Sequence, residues 1–489
     1  MTSPALAWRV FPRLYRDSVA LMAIASATEK LDEVDRVGAV MATPANLGIL
    51  AESGMLPGDL AAAPDDLVIV VRATSADVAA AALDDAERAL TSVESSGAAR
   101  AEQRPGTVRE GIAVAAGSEH PATLVAVSVA GTYAPVVSEQ AIRSGLHVFC
   151  FSDNVGIEDE VRVKRLAVDA GVLHMGPDCG TAIIDGVPLG FANIVRPGPV
   201  GIVAASGTGA QEVARLLDDA GTGVSQLIGV GGRDLSVEVG GLMTDAALGM
   251  LADDPATSVV VVISKPPAAA VADRLLGRLA DITRSGTPAV ACFLGLEDVE
   301  RDGVLVRGTL EGGAIAAAQL AGARLEIVDP AVPSPASGRV LGLYTGGTLA
   351  SEAKILLKHA GADYEVLDLG DDEYTAGKPH PMIDPEARAA RIVAAGDDAS
   401  VALLLIDLVL GYGASDDPAT PVAAAVADAR VRARADGREL VVVGSVCGTA
   451  ADPQGRARQA AILESAGVLL APTNAAAARL AAAITGGAA

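Results

Sequence analysis

The stretch Val200-Gly-Ile-Val-Ala-Ala-Ser-Gly-Thr-Gly209 decides how this chain is read. Its apolar run, Val200 to Ala205, predicts a buried strand. Ser206-Gly207-Thr208-Gly209 then turns the strand directly into a helix carried by Ala210-Gln-Glu-Val-Ala-Arg-Leu-Leu217. Such a turn points unpaired backbone N–H groups and the positive end of a helix dipole at whatever lies above it, and oxyanions match both. One turn of this kind often does no more than join a strand to a helix. Here the device occurs twice.

The second copy follows Pro330 to Ser337, a stretch with three prolines that marks a linker. Arg339-Val-Leu-Gly-Leu-Tyr344 predicts the strand, Thr345-Gly346-Gly347-Thr348 the turn, and Leu349-Ala-Ser-Glu-Ala-Lys-Ile-Leu-Leu357 the helix. Gly207, Thr208 and Glu212 find counterparts in Gly347, Thr348 and Glu352, each 140 residues on. Gly229-Val-Gly-Gly-Arg-Asp234 is echoed by Leu367-Asp-Leu-Gly-Asp-Asp372, and the strand ending at Lys265 by Val401 to Asp407. Phe293-Leu-Gly295 is echoed by Val446-Cys-Gly448. The pattern predicts two flavodoxin-like modules, 197–330 and 338–489, related by a pseudo-two-fold with their glycine turns facing.

Two further segments precede them. Residues 1–105 read as β-α-β-α-β-α, with strands at Arg9–Tyr15, Arg36–Met41 and Leu67–Arg72, which suggests a small ferredoxin-like α/β layer. Gly97 to Pro121 lacks periodicity and reads as a linker. Residues 120–196 alternate strand and helix in the manner of a Rossmann-like domain, with Gly176-Pro-Asp-Cys-Gly-Thr181 just past a strand end. The expected class is thus α/β throughout.

Composition narrows the function. A formal charge of −24 argues against nucleic acid or an anionic membrane surface as partner, and leaves small anionic substrates possible at a local site. The four cysteines, Cys150, Cys179, Cys292 and Cys447, have neither disulfide-framework nor zinc spacing, and no metal site is assigned. No apolar run is long enough to span a bilayer, and the expectation is a soluble cytoplasmic protein.

The candidate phosphate-binding residues are Ser206, Gly207, Thr208 and Gly209 on one turn, and Thr345, Gly346, Gly347 and Thr348 on the other. Neither turn has the lysine of a P-loop, so triphosphate binding is not supported. Arg233 and Lys265 are the cations placed to reach these strand ends, unless they serve in surface or ion-pair roles. Asp178, Asp234, Asp371 and Asp372 are candidates to hold substrate; Asp178 either does so or shapes its turn. Asp371 and Asp372 either position a substrate amide or a metal, or belong to a solvated loop. His147 and His174 fall on strands and read as satisfied core residues. His380, in Tyr374-Thr-Ala-Gly-Lys-Pro-His-Pro-Met-Ile-Asp384, reads as part of a polar, proline-pinned loop and is a candidate ligand contact or catalyst.

Gly176-Pro-Asp-Cys-Gly180, Val200 to Gly209, Gly229 to Asp234 and Ser264-Lys-Pro-Pro267 resemble the α subunit of succinyl-CoA synthetase. Leu343 to Glu352 and the module after it resemble the carboxy-terminal domain of its β subunit. Over nearly its whole length the chain resembles the FdrA family, through Phe151-Ser-Asp-Asn-Val155, Gly231 to Ser236, Leu341 to Ala350 and Gly377 to Pro385. In the synthetases the two glycine turns correspond to helix ends that stabilise a phosphohistidine. That histidine belongs to a Gly-His-Ala-Gly-Ala loop, whereas Gly308 to Ala316 here has none. No segment is left for an ATP-grasp domain, and the glycine-rich start of a CoA-binding domain is not recognisable. The FdrA resemblance implies an oxamate carbamoyltransferase subunit, in a hetero-oligomer, interconverting oxalurate plus phosphate with oxamate plus carbamoyl phosphate during allantoin breakdown. Phosphate and carbamoyl phosphate then enter as substrates, and no resident cofactor is assigned. The alternatives are an ADP- or GDP-forming acyl-CoA synthetase whose partner supplies the nucleotide domain, with CoA and ATP as ligands, and a non-catalytic scaffold.

Overall fold

A computed structural model describes residues 5–16, 18–95, 105–375 and 379–487. The chain divides into two compact units, Met1–Pro105 with Asp372–Ala387, and Gly106–Asp371 with Arg388–Ala489.

The first unit runs β1 (Ala5–Phe11), α1 (Ser18–Glu29), β2 (Val34–Met41), α2 (Pro44–Glu52), β3 (Leu67–Ala73) and α3 (Ala76–Ser95). β3 lies between β1 and β2 and is antiparallel to both, so β1-α1-β2 is a split βαβ unit, as the ferredoxin-like expectation required. Strand alternation explains why Leu67-Val-Ile-Val-Val71 has no polar residue. Leu67, Ile69 and Val71 face α1 and α3 through Leu21, Ile24, Leu83 and Leu90, while Val68 and Val70 pack on Leu50 and Met55. β1 starts earlier than expected and stops at Phe11, because Pro12 has no N–H for the ladder and Arg13 turns with φ 53°.

In the second unit, α4 (Val108–Ala116) occupies part of the expected linker. The missed signal is Thr107-Val-Arg-Glu110, a capping sequence: Thr107 Oγ1 accepts from Glu110 N at 3.2 Å, and Glu110 Oε2 accepts from Gly106 N at 2.8 Å. β4 (Leu124–Val127), α5 (Ala134–Arg143), β5 (His147–Cys150), α6 (Ile157–Ala170) and β6 (His174–Met175) then build a three-stranded parallel sheet.

The next elements are β7 (Thr181–Ile184), β8 (Val187–Gly190), β9 (Pro197–Ala205), α7 (Gly207–Asp219), β10 (Val224–Gly229) and α8 (Leu242–Asp253). They continue with β11 (Val259–Ser264), α9 (Ala269–Arg284), β12 (Ala289–Phe293), β13 (Val299–Arg301), β14 (Val304–Arg307) and α10 (Leu310–Leu320). Their eight strands form one sheet, ordered β13-β14-β12-β11-β9-β10-β7-β8. Its parallel centre, β10-β9-β11-β12-β14, has the flavodoxin order 2-1-3-4-5. Each edge is finished by a hairpin that the sequence reading overlooked. Both have Asp-Gly tips with the two positive φ angles of a type I′ turn: 49° and 77° at Asp185-Gly186, 53° and 82° at Asp302-Gly303. β7–β8 therefore extends this sheet from the residue 196 side of the expected boundary.

The second module begins with β15 (Arg339–Tyr344), α11 (Gly347–His359) and β16 (Tyr364–Asp368); α12 (Asp372–Thr375) follows in sequence but belongs to the first unit, and the module resumes with α13 (Glu386–Ala395). It closes with β17 (Val401–Val409), α14 (Ala419–Ala435), β18 (Val441–Cys447), α15 (Arg456–Ser465), β19 (Leu469–Ala471) and α16 (Asn474–Ile484). Its sheet, β16-β15-β17-β18-β19, is parallel throughout and repeats the flavodoxin order. These are the two flavodoxin-like α/β modules that the sequence predicts.

The modules exchange helix caps. Glu352 on α11 accepts from Leu310 N, at the start of the first module's last helix, at 2.6 Å. Glu212 on α7 accepts from Asn474 N, at the start of the second module's last helix, at 3.3 Å. Thr309 and Thr473 are the N-caps of those helices, accepting from Gly312 N and Ala476 N. The symmetry breaks at the charges. Glu212 is paired with Arg215 at 2.6 Å, but the residue 140 positions after Arg215 is Ile355. Glu352 thus lacks that cation. Burial pushes its carboxyl up to about 7, against hydrogen bonds from Asn474 and Leu310, and Glu212 and Glu311 add to the rise.

A second charge cluster ties α6 to the first module. Lys164, fully buried, donates to Glu160 Oε1 and Asp234 Oδ1 at 2.8 Å each and to Val230 O at 2.9 Å. Replacing Lys164 with methionine strands two buried carboxylates, and the expected loss is about 3–5 kcal/mol in urea unfolding of the full chain. Glu352 gives a pH signature. Its raised pKa means that the folded state holds the proton more firmly, so its contribution to stability falls as pH rises from about 4.5 to about 7 and is level above that. Glu352→Gln is expected to flatten this slope relative to wild type in unfolding midpoints measured across that window.

Candidate functional site

The helix ends of α7 and α11 meet. β9 delivers Ser206, whose Oγ accepts from Gly209 N at 3.0 Å and donates to Thr348 Oγ1 at 2.8 Å. Thr348 N donates to Thr208 Oγ1 at 3.4 Å. Glycine at 209 is required by this contact: a Cβ there would collide with Ser206 Oγ and come within 2.9 Å of the Thr348 methyl. Ser206, Gly209, Thr345, Gly346 and Thr348 are buried, whereas Gly207, Thr208 and Gly347 are partly accessible. The Gly207 and Thr208 N–H groups, in the first turn of α7, have no partner among the described residues.

The second turn differs from the first in its chemistry. Asp407, fully buried at the end of β17, accepts from Thr345 N at 2.8 Å and Gly346 N at 2.7 Å. The Thr345 hydroxyl lies 3.1 Å from both its oxygens, and Arg388 donates to Oδ1 at 2.8 Å. The N–H groups of Thr345 and Gly346, expected to hold phosphate, are therefore already spent on the chain's own carboxylate. The Thr348 hydroxyl and N–H are likewise engaged, with Ser206 and Thr208. Asp407 and Arg388 were missed because each, read singly, is an ordinary charged residue. The signal available was an acid breaking the otherwise apolar run Val401 to Val409.

Lys265 is brought to this place. A Cβ at Gly347 would sit 3.4 Å from Lys265 Nζ and collide with the Asp368 carboxylate. The side chain of Lys265 is exposed, and its charge opposes the effect of burial on Asp368. Burial still leaves that carboxyl above its ordinary value, helped by Asp407 and Asp371. Asp371 is exposed, and its N–H donates to Asp368 O. Neither of two surface grooves, of 630 and 380 Å³, is lined by a residue of either turn.

The remaining candidates lie elsewhere or serve the framework. Asp234 is not a substrate ligand: it is fully buried and takes Lys164, Met243 N, Thr244 N and the Thr244 hydroxyl, capping α8. Arg233 pairs with buried Glu160 at 2.7 Å and donates to Val155 O, which makes it a staple between segments. Asp178 is exposed in a left-handed turn with φ 54°, its N–H bonded to Ser152 O. His380 belongs to the first unit, where its Nδ1 accepts from Met382 N at 3.2 Å. Asp372 also falls in that unit, and Gly377 and Lys378 lie outside the described residues. His174 is buried between Ser138 Oγ and Gly176 O, and burial pulls it down to about 4, as befits a core histidine. Leu173 N donates to His147 Nδ1. All four cysteines are free and buried. No cluster of metal-ligating side chains occurs among the described residues, and no helix is long and apolar enough to cross a membrane.

Comparison with known proteins agrees with this architecture. The CoA-ligase family matches residues 343–484. Residues 4–105 match the family described as AllF, heavy metal-associated domain, although that segment has neither cysteine nor histidine. The α-2 subunit of the mitochondrial ADP-forming succinate–CoA ligase of Trichomonas vaginalis is 32% identical over 29% of this chain and 46% of its own length. An ADP-forming sulfoacetate–CoA ligase subunit, SauD of Bilophila wadsworthia, is 26% identical over 32% of this chain and 54% of its own. The chain thus spans about half of the CoA-ligase subunits it matches. The dinucleotide-forming acetyl-coenzyme A synthetase 1 of Ca. Korarchaeum cryptofilum superposes with a TM-score of 0.34 at 15% identity, over 74% of this chain and 82% of that one. The uncharacterized protein YahF of Escherichia coli K12 is 38% identical over 95% of both chains, and the protein belongs to its family.

Proposed function

We propose that the protein is a subunit of an acid–thiol ligase of the acyl-CoA synthetase type, and that the start of α7 holds a phosphate or acyl phosphate beside Lys265. The observation that carries this reading is the meeting of the α7 and α11 helix ends through Ser206 and Thr348, with the Gly207 and Thr208 N–H groups left unpaired. The helix end and these donors stabilise charge that develops on a transferring phosphoryl group, and Lys265 neutralises the leaving oxygen. Nucleotide is supplied by a partner subunit, in keeping with a CoA-ligase match confined to 343–484. CoA binds to the same assembly. Four unpaired cysteines suit a cytoplasmic setting.

A second reading is favoured by one observation. Gly308 to Ala316 has no histidine, and its Thr309 and Leu310 are used to cap α10. A transferase that receives a ready-made acyl phosphate, such as an oxamate carbamoyltransferase forming carbamoyl phosphate, needs no phosphorylated side chain. The AllF match over 4–105 is compatible with that route.

Gly207→Pro tests the anion site. Proline is tolerated at the first helical position, where it removes one open N–H and leaves the intrahelical bonds intact. Phosphate at a hundred times its dissociation constant is expected to stabilise wild type by about 2.7 kcal/mol. The gain should vanish in Gly207→Pro and shrink in Lys265→Met; equal stabilisation of all three chains rules the site out. Carbamoyl phosphate, CoA and ATP, measured in the same way, separate the two readings. Stabilisation by CoA favours the ligase, and stabilisation by carbamoyl phosphate without CoA favours the transferase.

A further inference from the structure

The two glycine turns superpose in sequence without a gap, so their surroundings can be compared position by position. The N-caps Ser206 and Gly346 correspond, as do the strand residues Val203 and Leu343. Val203 pairs with Val262 on β11, and Leu343 pairs with Ile406 on β17. One residue further along, the first module therefore has Ile263 where the second has Asp407. On the other side Ala204 pairs with Gly229, while Tyr344 pairs with Asp368. The two copies differ in one respect on both sides: the second turn is flanked by carboxylates where the first is flanked by Ile263 and Gly229.

Asp407 is bound as an incoming anion would be. It lies across two successive N–H groups and a hydroxyl at the helix end, with a guanidinium behind it. It is 0% exposed, and Arg388 is 1% exposed. Two more buried polar atoms in this neighbourhood, Tyr344 Oη and Arg388 Nε, have no hydrogen-bond partner among the described residues. The surroundings are thus built for more polar contact than the chain itself provides.

We propose that Asp407 is a specificity-determining residue, a built-in anion that occupies the Thr345 and Gly346 N–H groups of the second turn, so that the paired helix ends accept one external phosphate-like group on the remaining N–H groups of Gly207, Thr208 and Gly347. This rests on the anion site proposed above. Because Asp407 and Arg388 cancel, the site presents the helix dipoles and Lys265, with Asp368 beside it, to its ligand, and the choice of ligand depends on one open cradle.

The test is calorimetric titration of the full chain with inorganic phosphate. Wild type is expected to bind one phosphate, and Gly207→Pro none. Asp407→Ile combined with Arg388→Met gives the second module the apolar lining of the first and is expected to bind two. Asp407→Asn keeps the size of the side chain and leaves Arg388 unbalanced, so the first phosphate should bind about tenfold more tightly. This conservative variant reads the same property if the double variant does not fold. A wild-type stoichiometry of two overturns the proposal. So does a folded double variant that still binds one, or an Asp407→Asn affinity within twofold of wild type. Those results leave the site at Gly207 standing. Phosphate bound by the double variant but not by wild type supports the role of Asp407 and removes the first turn as the site.

Discussion

The contact between Ser206 Oγ and Thr348 Oγ1 sets the constraint on this structure, because it holds the positive ends of two helices against each other. Left alone, like ends of two dipoles repel. Asp407 answers that repulsion at α11, and Glu352 and Glu212 likewise meet the starts of the neighbouring α10 and α16. The acids at this junction therefore hold a structural position before they hold any chemical one. Of these four helices, α7 is the one whose start has no carboxylate bonded to it among the described residues. An external anion therefore finds more open donors there than at its twin.

Much of the architecture was legible. Apolar strands followed at once by Gly-rich turns and amphipathic helices can pack in few ways, and the 140-residue echo identified the duplication. What was missed was local chemistry. The Asp185-Gly186 and Asp302-Gly303 hairpins and the Thr107–Glu110 cap are short signals that a search for long periodic segments passes over. The site was half legible. Glycines announce where backbones approach closely, but a sequence does not say which N–H groups are already paired. That depends on Asp407, which is 61 residues from Gly346 and reaches it only through sheet register.

The Gly229 to Asp234 motif illustrates how a conspicuous charged sequence can serve the framework. Arg233 and Asp234 close a buried network with Glu160 and Lys164, which fixes α6 against the first module. Desolvating Glu160, Lys164 and Asp234 is costly, and Lys164 offsets it by donating to both carboxylates and to Val230 O, while the half-exposed Arg233 pairs with Glu160 from the solvent side. Its benefit is positional. The loop after β10 is tied to the end of β9 through Val230 N donating to Ala204 O, so the network fixes α6 against the strand that leads into the first turn.

The proline-containing segment between α10 and β15 has a consequence for assembly. It joins the two modules in one chain, and so makes the meeting of their helix ends an intramolecular event. Effective concentrations across a short tether reach the millimolar range, well above those of typical free subunits. The paired helix ends should therefore survive dilution that separates a two-chain equivalent. Any further subunit then meets a preassembled surface instead of having to draw the two halves together.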